Sequence, residues 1–96
     1  MTLRNLVESK REEILALAAK HKARHVRLFG SAARGDERPD SDVDFLVEFE
    51  PGARLMDRLR MMVELEDLLG RRVDVIREDT VHWLIKGQVL REAIAI

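Results

Sequence analysis

Asp42-Val43-Asp44 is the pattern in this chain most suited to chemistry. In a strand, residues i and i+2 point to one face, so both carboxylates would project side by side. Two like charges that close repel, and a pKa rises unless a cation neutralises them. A hard divalent ion is the natural remedy, since magnesium takes one or two carboxylates together with substrate phosphates. A solvated strand face is the alternative, and Glu48 and Glu50 on the same side fit it well. Asp74 stands between Val73 and Val75, where a charge is uncommon without a partner. An edge strand would leave it in water. If its strand lies beside the one holding Asp42 and Asp44, Asp74 becomes a third ligand able to take a proton from an attacking hydroxyl. Gly30-Ser31 adds a candidate anion site: glycine admits a phosphate close to the backbone, and the serine hydroxyl is a further donor. By itself a Gly-Ser after a strand is an ordinary turn.

The elements that must hold these groups can be read from periodicity. Leu3, Leu6, Val7, Ile14, Leu17 and Ala18 recur at helical spacing, predicting an amphipathic helix over 3–21 with Thr2 as its N-cap. A short strand over 25–29 ends at Gly30, and residues 31–35 have room for one helical turn. Pro39 and its polar neighbours make 36–40 a surface loop. Over 42–50 the odd positions Val43, Phe45, Val47 and Phe49 are apolar and the even ones almost all acidic, which is a strand pattern. Residues 54–69 predict a helix whose apolar side is Leu55, Leu59, Met62, Val63, Leu65, Leu68 and Leu69, closed by Gly70. A strand over 72–76 and a helix from Thr80 to about Glu92 complete the order α-β-turn-β-α-β-α. The tail 93–96 extends that helix or adds an edge strand.

Ninety-six residues suit one compact domain spanning 1–96. With 46% hydrophobic residues the chain is no disordered segment, and no apolar run is long enough to cross a bilayer. The absence of cysteine excludes disulfides, thiolate zinc sites and a cysteine nucleophile, and a cytoplasmic protein is the simplest expectation. A net charge of −1 is a poor electrostatic match for nucleic acid, so no direct nucleic-acid binding is expected. That balance hides an asymmetry: residues 1–28 hold seven Lys/Arg against three acids, whereas 36–50 hold seven acids against Arg38 alone.

Gly30-Ser31-Ala32-Ala33-Arg34-Gly35, then Ser41-Asp42-Val43-Asp44-Phe45, then Asp74 on a later strand, together resemble the polymerase-beta-like nucleotidyltransferase superfamily. The Ala-Arg-Gly after Gly-Ser and the small size resemble its minimal nucleotidyltransferase (MNT) branch, and the match spans nearly the whole chain. The resemblance implies an α/β (α+β) fold with a small mixed sheet flanked by helices. It implies that Gly30 and Ser31 hold the β- and γ-phosphates of a nucleoside triphosphate, with Arg34 nearby; a structural salt bridge is the other reading of Arg34. Asp42 and Asp44 would bridge two Mg²⁺ ions, with Mn²⁺ as a substitute, and Asp74 would ligate the ion that activates the acceptor hydroxyl. The reaction would be transfer of a nucleotidyl group, AMP from ATP, with release of pyrophosphate.

Larger superfamily members carry a second domain for the acceptor, and none is expected here, so the acceptor would arrive on a partner. For MNT proteins that partner is a HEPN-domain RNase toxin, which the MNT protein neutralises as antitoxin. The resemblance also allows a catalytically silent antitoxin that binds and occludes the toxin. Elsewhere the readings are structural. Trp83, with Ile85 and Val89, is expected as a buried or interface anchor, and Met56, Met61 and Met62 as core and helix-face filler. His21 and His25 are expected on the surface, and Arg71-Arg72 at a solvated strand entrance.

Overall fold

A computed structural model of the chain describes residues 2–80, 87 and 91–96. Its elements are α1 (Leu3–Ser9), α2 (Arg11–Lys20), β1 (Ala23–Phe29), α3 (Ser31–Arg34), β2 (Val43–Phe49), α4 (Leu55–Leu69), β3 (Val73–Arg77), a 3-10 turn (Glu78–Thr80) and β4 (Ile94–Ala95). The four strands form one mixed sheet in the order β3-β2-β1-β4, with β2 and β3 parallel and β1 antiparallel to both its neighbours. The α/β class and the element order expected from the sequence hold across these residues.

The alternation along β2 sorts the molecule into layers. Val43, Phe45 and Val47 are fully buried and join Val73, Val75, Ile14, Ala18, Met61, Leu65 and Leu69 in the core. Helices α2 and α4 therefore cover the face of the sheet to which the odd β2 residues point. The even residues Asp44 and Asp74 point to the opposite face. Gly70 ends α4 at φ 66°, in the left-handed conformation a closing glycine provides, and its N–H bonds to Glu66 O at 2.8 Å. No helix of the described residues is long and apolar enough to cross a membrane.

Five expectations need correction. The helix over 3–21 is two helices, because the Ser9 hydroxyl donates to Leu6 O at 2.7 Å and Lys10 N–H turns to Val7 O. The first strand begins at Ala23, not His25. A bulge between Arg24 and Arg27, with His25 at φ 52°, breaks the two-residue period by which a strand is read. The buried stripe of α4 is Met61, Leu65 and Leu69; Leu55, Leu59 and Val63 are exposed, as is Met56, which is therefore not core filler. His21 is buried, 5% exposed, and its Nε2 pairs with Glu64 Oε2, whose other oxygen accepts from Lys20 at 2.8 Å. Lys20 first and His21 second hold the Glu64 carboxyl below its ordinary range. Arg71 is not simply solvated, since it donates to Ser41 O at 2.6 Å, whereas Arg72 lies in solvent as expected, 82% exposed, with Asp42 Oδ1 at 3.1 Å.

The tail forms an edge strand: Ile94 and Ala95 pair with Leu28 and Arg27 of β1. The helix expected over 80–92, with Trp83, Ile85 and Val89, lies largely outside the described residues. Within it, Gly87, Arg91 and Glu92 are helical, while Thr80 ends the 3-10 turn and its hydroxyl donates to Arg77 O at 2.9 Å.

Candidate active site

Sheet register brings the acids together. Asp44 of β2 is the direct parallel partner of Asp74 of β3, and the flanking pairs Val43–Val73 and Phe45–Val75 hold the register with core side chains. A one-residue slip would turn Asp44 into the core and a valine out, so hydrophobic burial itself fixes the carboxylates on one face. On the other side of β2, Asp44 pairs antiparallel with Phe29, the last residue of β1. The chain turns there at Gly30, whose φ of 75° is left-handed. A Cβ on Gly30 would lie 2.5 Å from Asp44 Oδ2. Only glycine lets the backbone pass this closely to the carboxylate.

After Gly30 a single helical turn, Ser31–Arg34, is closed by Gly35 at φ 79°, and Ala32 anchors it in the core. Ser31 therefore opens a short turn directly beside the acids. Arg34 contributes to their field, and it also makes exposed ion pairs with Asp36 at 3.3 Å and Glu92 at 3.9 Å. The salt-bridge reading of Arg34 thus has contacts behind it, while toward Asp44 it acts through charge alone. The loop 36–42 is held by Leu3 N–H donating to Glu37 Oε1 at 3.0 Å and by Arg38 N–H donating to Ser41 Oγ at 2.7 Å. Asp42 then enters the site just before β2.

Asp44 records the crowding. Burial, then the charge of Asp74, then that of Asp42 push its carboxyl from 3.8 up to about 6, against an opposing pull from Arg34. The outer two acids are steadied by arginines that periodicity could not single out. Arg72 Nε lies 3.1 Å from Asp42 Oδ1. Arg58 of α4 reaches round β3, donating from Nε to Val75 O at 2.7 Å and standing 3.8 Å from Asp74 Oδ1. In the sequence Arg58 is one of several charges on a helix and carries no signal of its role.

Among the described residues no three His, Asp or Glu side chains close into a cage able to hold an ion unaided. Magnesium does not need such a cage, because it keeps waters and shares its coordination between carboxylates and substrate phosphates. The all-oxygen donor set, the raised Asp44 and the bare backbone at Gly30 fit a divalent cation carrying a polyphosphate. The arrangement has room for a triphosphate between a glycine turn and a carboxylate row, with Asp74 on the row's far side.

The profile of the family described as "Nucleotidyltransferase domain" matches residues 10–96. A Methanocaldococcus jannaschii relative named as a protein adenylyltransferase is 40% identical over 92 residues, covering 96% of this chain and 98% of its own. The Thermococcus cleftensis protein adenylyltransferase MntA is 37% identical over 93 residues, covering 88% and 94%. A solved structure described as a minimal nucleotidyltransferase superposes with a TM-score of 0.89 at 47% identity, covering 100% of this chain and 97% of that one. A chain from the complex of a tri-AMPylated Shewanella oneidensis HEPN toxin with its MNT antitoxin has a TM-score of 0.68. That match covers 92% of this chain and 69% of the other, and at 19% identity it is a likeness of fold.

Proposed function

From membership of the nucleotidyltransferase family, to which this chain belongs, we propose that the protein transfers AMP from ATP to a hydroxyl of a protein partner, a HEPN toxin that it thereby neutralises. The observation that carries the reading is the in-register pair Asp44–Asp74 directly beside Gly30. The protein adenylyltransferase names of its relatives support the nucleotide and the class of acceptor. The AMPylated HEPN toxin of the Shewanella complex, bound to a protein of this fold, supports the partner.

In this reading the backbone at Gly30 and the hydroxyl of Ser31 bind the β- and γ-phosphates, and Arg34 balances their charge. Asp42 and Asp44 would hold two Mg²⁺ ions, or Mn²⁺ in their place, with Asp74 on the acceptor side. When bound, the metal supplies charge neutralisation for the triphosphate and makes the acceptor hydroxyl more acidic. The acceptor oxygen bonds to the α-phosphorus as the bond from that phosphorus to the β-phosphate breaks. Pyrophosphate leaves, and Asp74 takes the hydroxyl proton. Rigid positioning on paired strands supplies the alignment that such an in-line displacement needs.

Thermal unfolding with and without Mg²⁺ and ATP tests the assignment. The wild-type chain gains stability from the pair, and Asp42→Asn with Asp44→Asn abolishes the gain. Asp74→Asn keeps the ligand-dependent gain while transfer stops. An unchanged gain in the double variant would remove the site.

A further inference from the structure

Sheet register holds Asp44 and Asp74, but it does not reach Asp42. Strand β2 begins at Val43, and its parallel ladder with β3 starts at the pair Val43–Val73, one residue after Asp42. Asp42 is partly exposed and its charge is felt at Asp44, so mutual repulsion favours its turning away into water. Its direction must be fixed by other means.

A side chain leaves the backbone in a direction set by the two peptide planes that meet at its Cα. The plane before Asp42 contains Ser41 O, which accepts from Arg71 Nη2 at 2.6 Å in a part-buried contact between residues 30 apart. The plane after it contains Val43 N–H, which donates to Arg72 O at 2.9 Å. Two consecutive residues at the entrance to β3 thus pin both planes that bracket Asp42. The remaining ties on the loop do less for it. Ser41 N–H donates to Arg38 O at 2.9 Å and Arg38 N–H to Ser41 Oγ at 2.7 Å, which closes a turn within the loop. Glu37 fastens the loop's start to α1. The Arg72 side chain is 82% exposed, so water screens its ion pair with Asp42.

We propose that Arg71 is a positioning residue: its guanidinium holds the Ser41 carbonyl, and through that peptide plane it keeps the Asp42 carboxylate beside Asp44, where a divalent cation can use both. The inference rests on the nucleotidyl-transfer reading of the site and adds to it a residue that acts through the backbone. A charged donor makes a hydrogen bond roughly twice as strong as a neutral one. Removing the groups that orient a metal ligand weakens metal binding by about 10–100-fold.

Calorimetric titration with Mn²⁺ and α,β-methylene-ATP, an analogue that cannot release pyrophosphate, tests it without turnover. Arg71→Ala should weaken binding about tenfold, while circular dichroism and the metal-free melting curve still show a folded chain. Arg71→Lys keeps a cationic donor for that single carbonyl and should stay within about threefold of wild type. Asp42→Asn should weaken binding as well, and adding Arg71→Ala to it should weaken it no further, because Arg71 acts through Asp42. Full affinity in Arg71→Ala overturns the proposal. So does an alanine variant that fails to fold, a lysine variant as weak as alanine, or an Arg71→Ala loss that persists undiminished in the Asp42→Asn background. Unchanged binding in Asp42→Asn alone removes the site reading itself, and the proposal with it.

Discussion

Around Asp44 the fold does something that hydrophobic burial alone would avoid. Register with Asp74, the close pass of Gly30 and the neighbouring Asp42 leave its carboxyl crowded, and its pKa rises from 3.8 to about 6. An acid whose pKa is raised on folding holds its proton more tightly in the native state. Its ionisation therefore costs stability, and the cost grows as pH climbs from near 4 through about 6. Asp44→Asn should accordingly raise the melting temperature of the metal-free protein at pH 7.5, with the gain shrinking as pH falls toward 4. Melting curves across that range check it, and a lowered melting temperature at pH 7.5 would contradict it. Gly30→Ala should cost about 1–3 kcal/mol in denaturant titrations and remove the ATP-dependent stabilisation, since its Cβ would meet Asp44 Oδ2 at 2.5 Å. Gly35→Ala is the control: φ 79° is strained there too, but nothing lies within 4 Å, so the response to ATP should survive. The acids and the glycine were legible because chemistry restricts residue type. Arg58 and Arg72 were not, because an arginine that steadies a carboxylate is spelled the same as one that meets water.

The elements were legible where one period dominated. β2 alternates cleanly because one face meets the core, and α4 announces its end with Gly70. Misreadings fell where a local hydrogen bond or an extra residue competed with the period, at Ser9 and at the bulge after Arg24. Helix α4 misled differently: its apolar residues go nearly all the way round, and only tertiary packing chooses Met61, Leu65 and Leu69 as the core stripe. His21 was misread because sequence cannot show that the end of α2 abuts Glu64 of α4. That tie has its own pH signature. Lys20 and His21 lower the Glu64 pKa, and an acid with a depressed pKa contributes stability that is present above its unfolded value and lost as pH falls through the folded one. Glu64→Gln should lower the melting temperature at pH 7, and the difference should narrow in acid. A difference that stays constant down to pH 3 would show that the tie does not depend on the charge.

At the scale of the whole molecule, the sheet divides the labour. Its helix-covered face is packed with aliphatic side chains, and its other face carries the carboxylate row beside the glycine turn. The same strand alternation that buries Val43, Phe45, Val73 and Val75 presents Asp44 and Asp74, so stability and chemistry come from one pattern rather than from separate regions. The fold class and order were therefore legible from β2 outward. The exposed stripe on α4 was not, because apolar residues at helical spacing read in sequence as core wherever they face. The central claim is that this face moves the α-phosphate of ATP to a protein hydroxyl. Label transfer from α-labelled and γ-labelled ATP, run in parallel with Mg²⁺ and a HEPN partner, tests it most directly. The account predicts label on the partner from the α position alone, lost in the Asp42→Asn, Asp44→Asn variant. Transfer from the γ position, or no transfer while the double variant still binds the partner tightly, would contradict it.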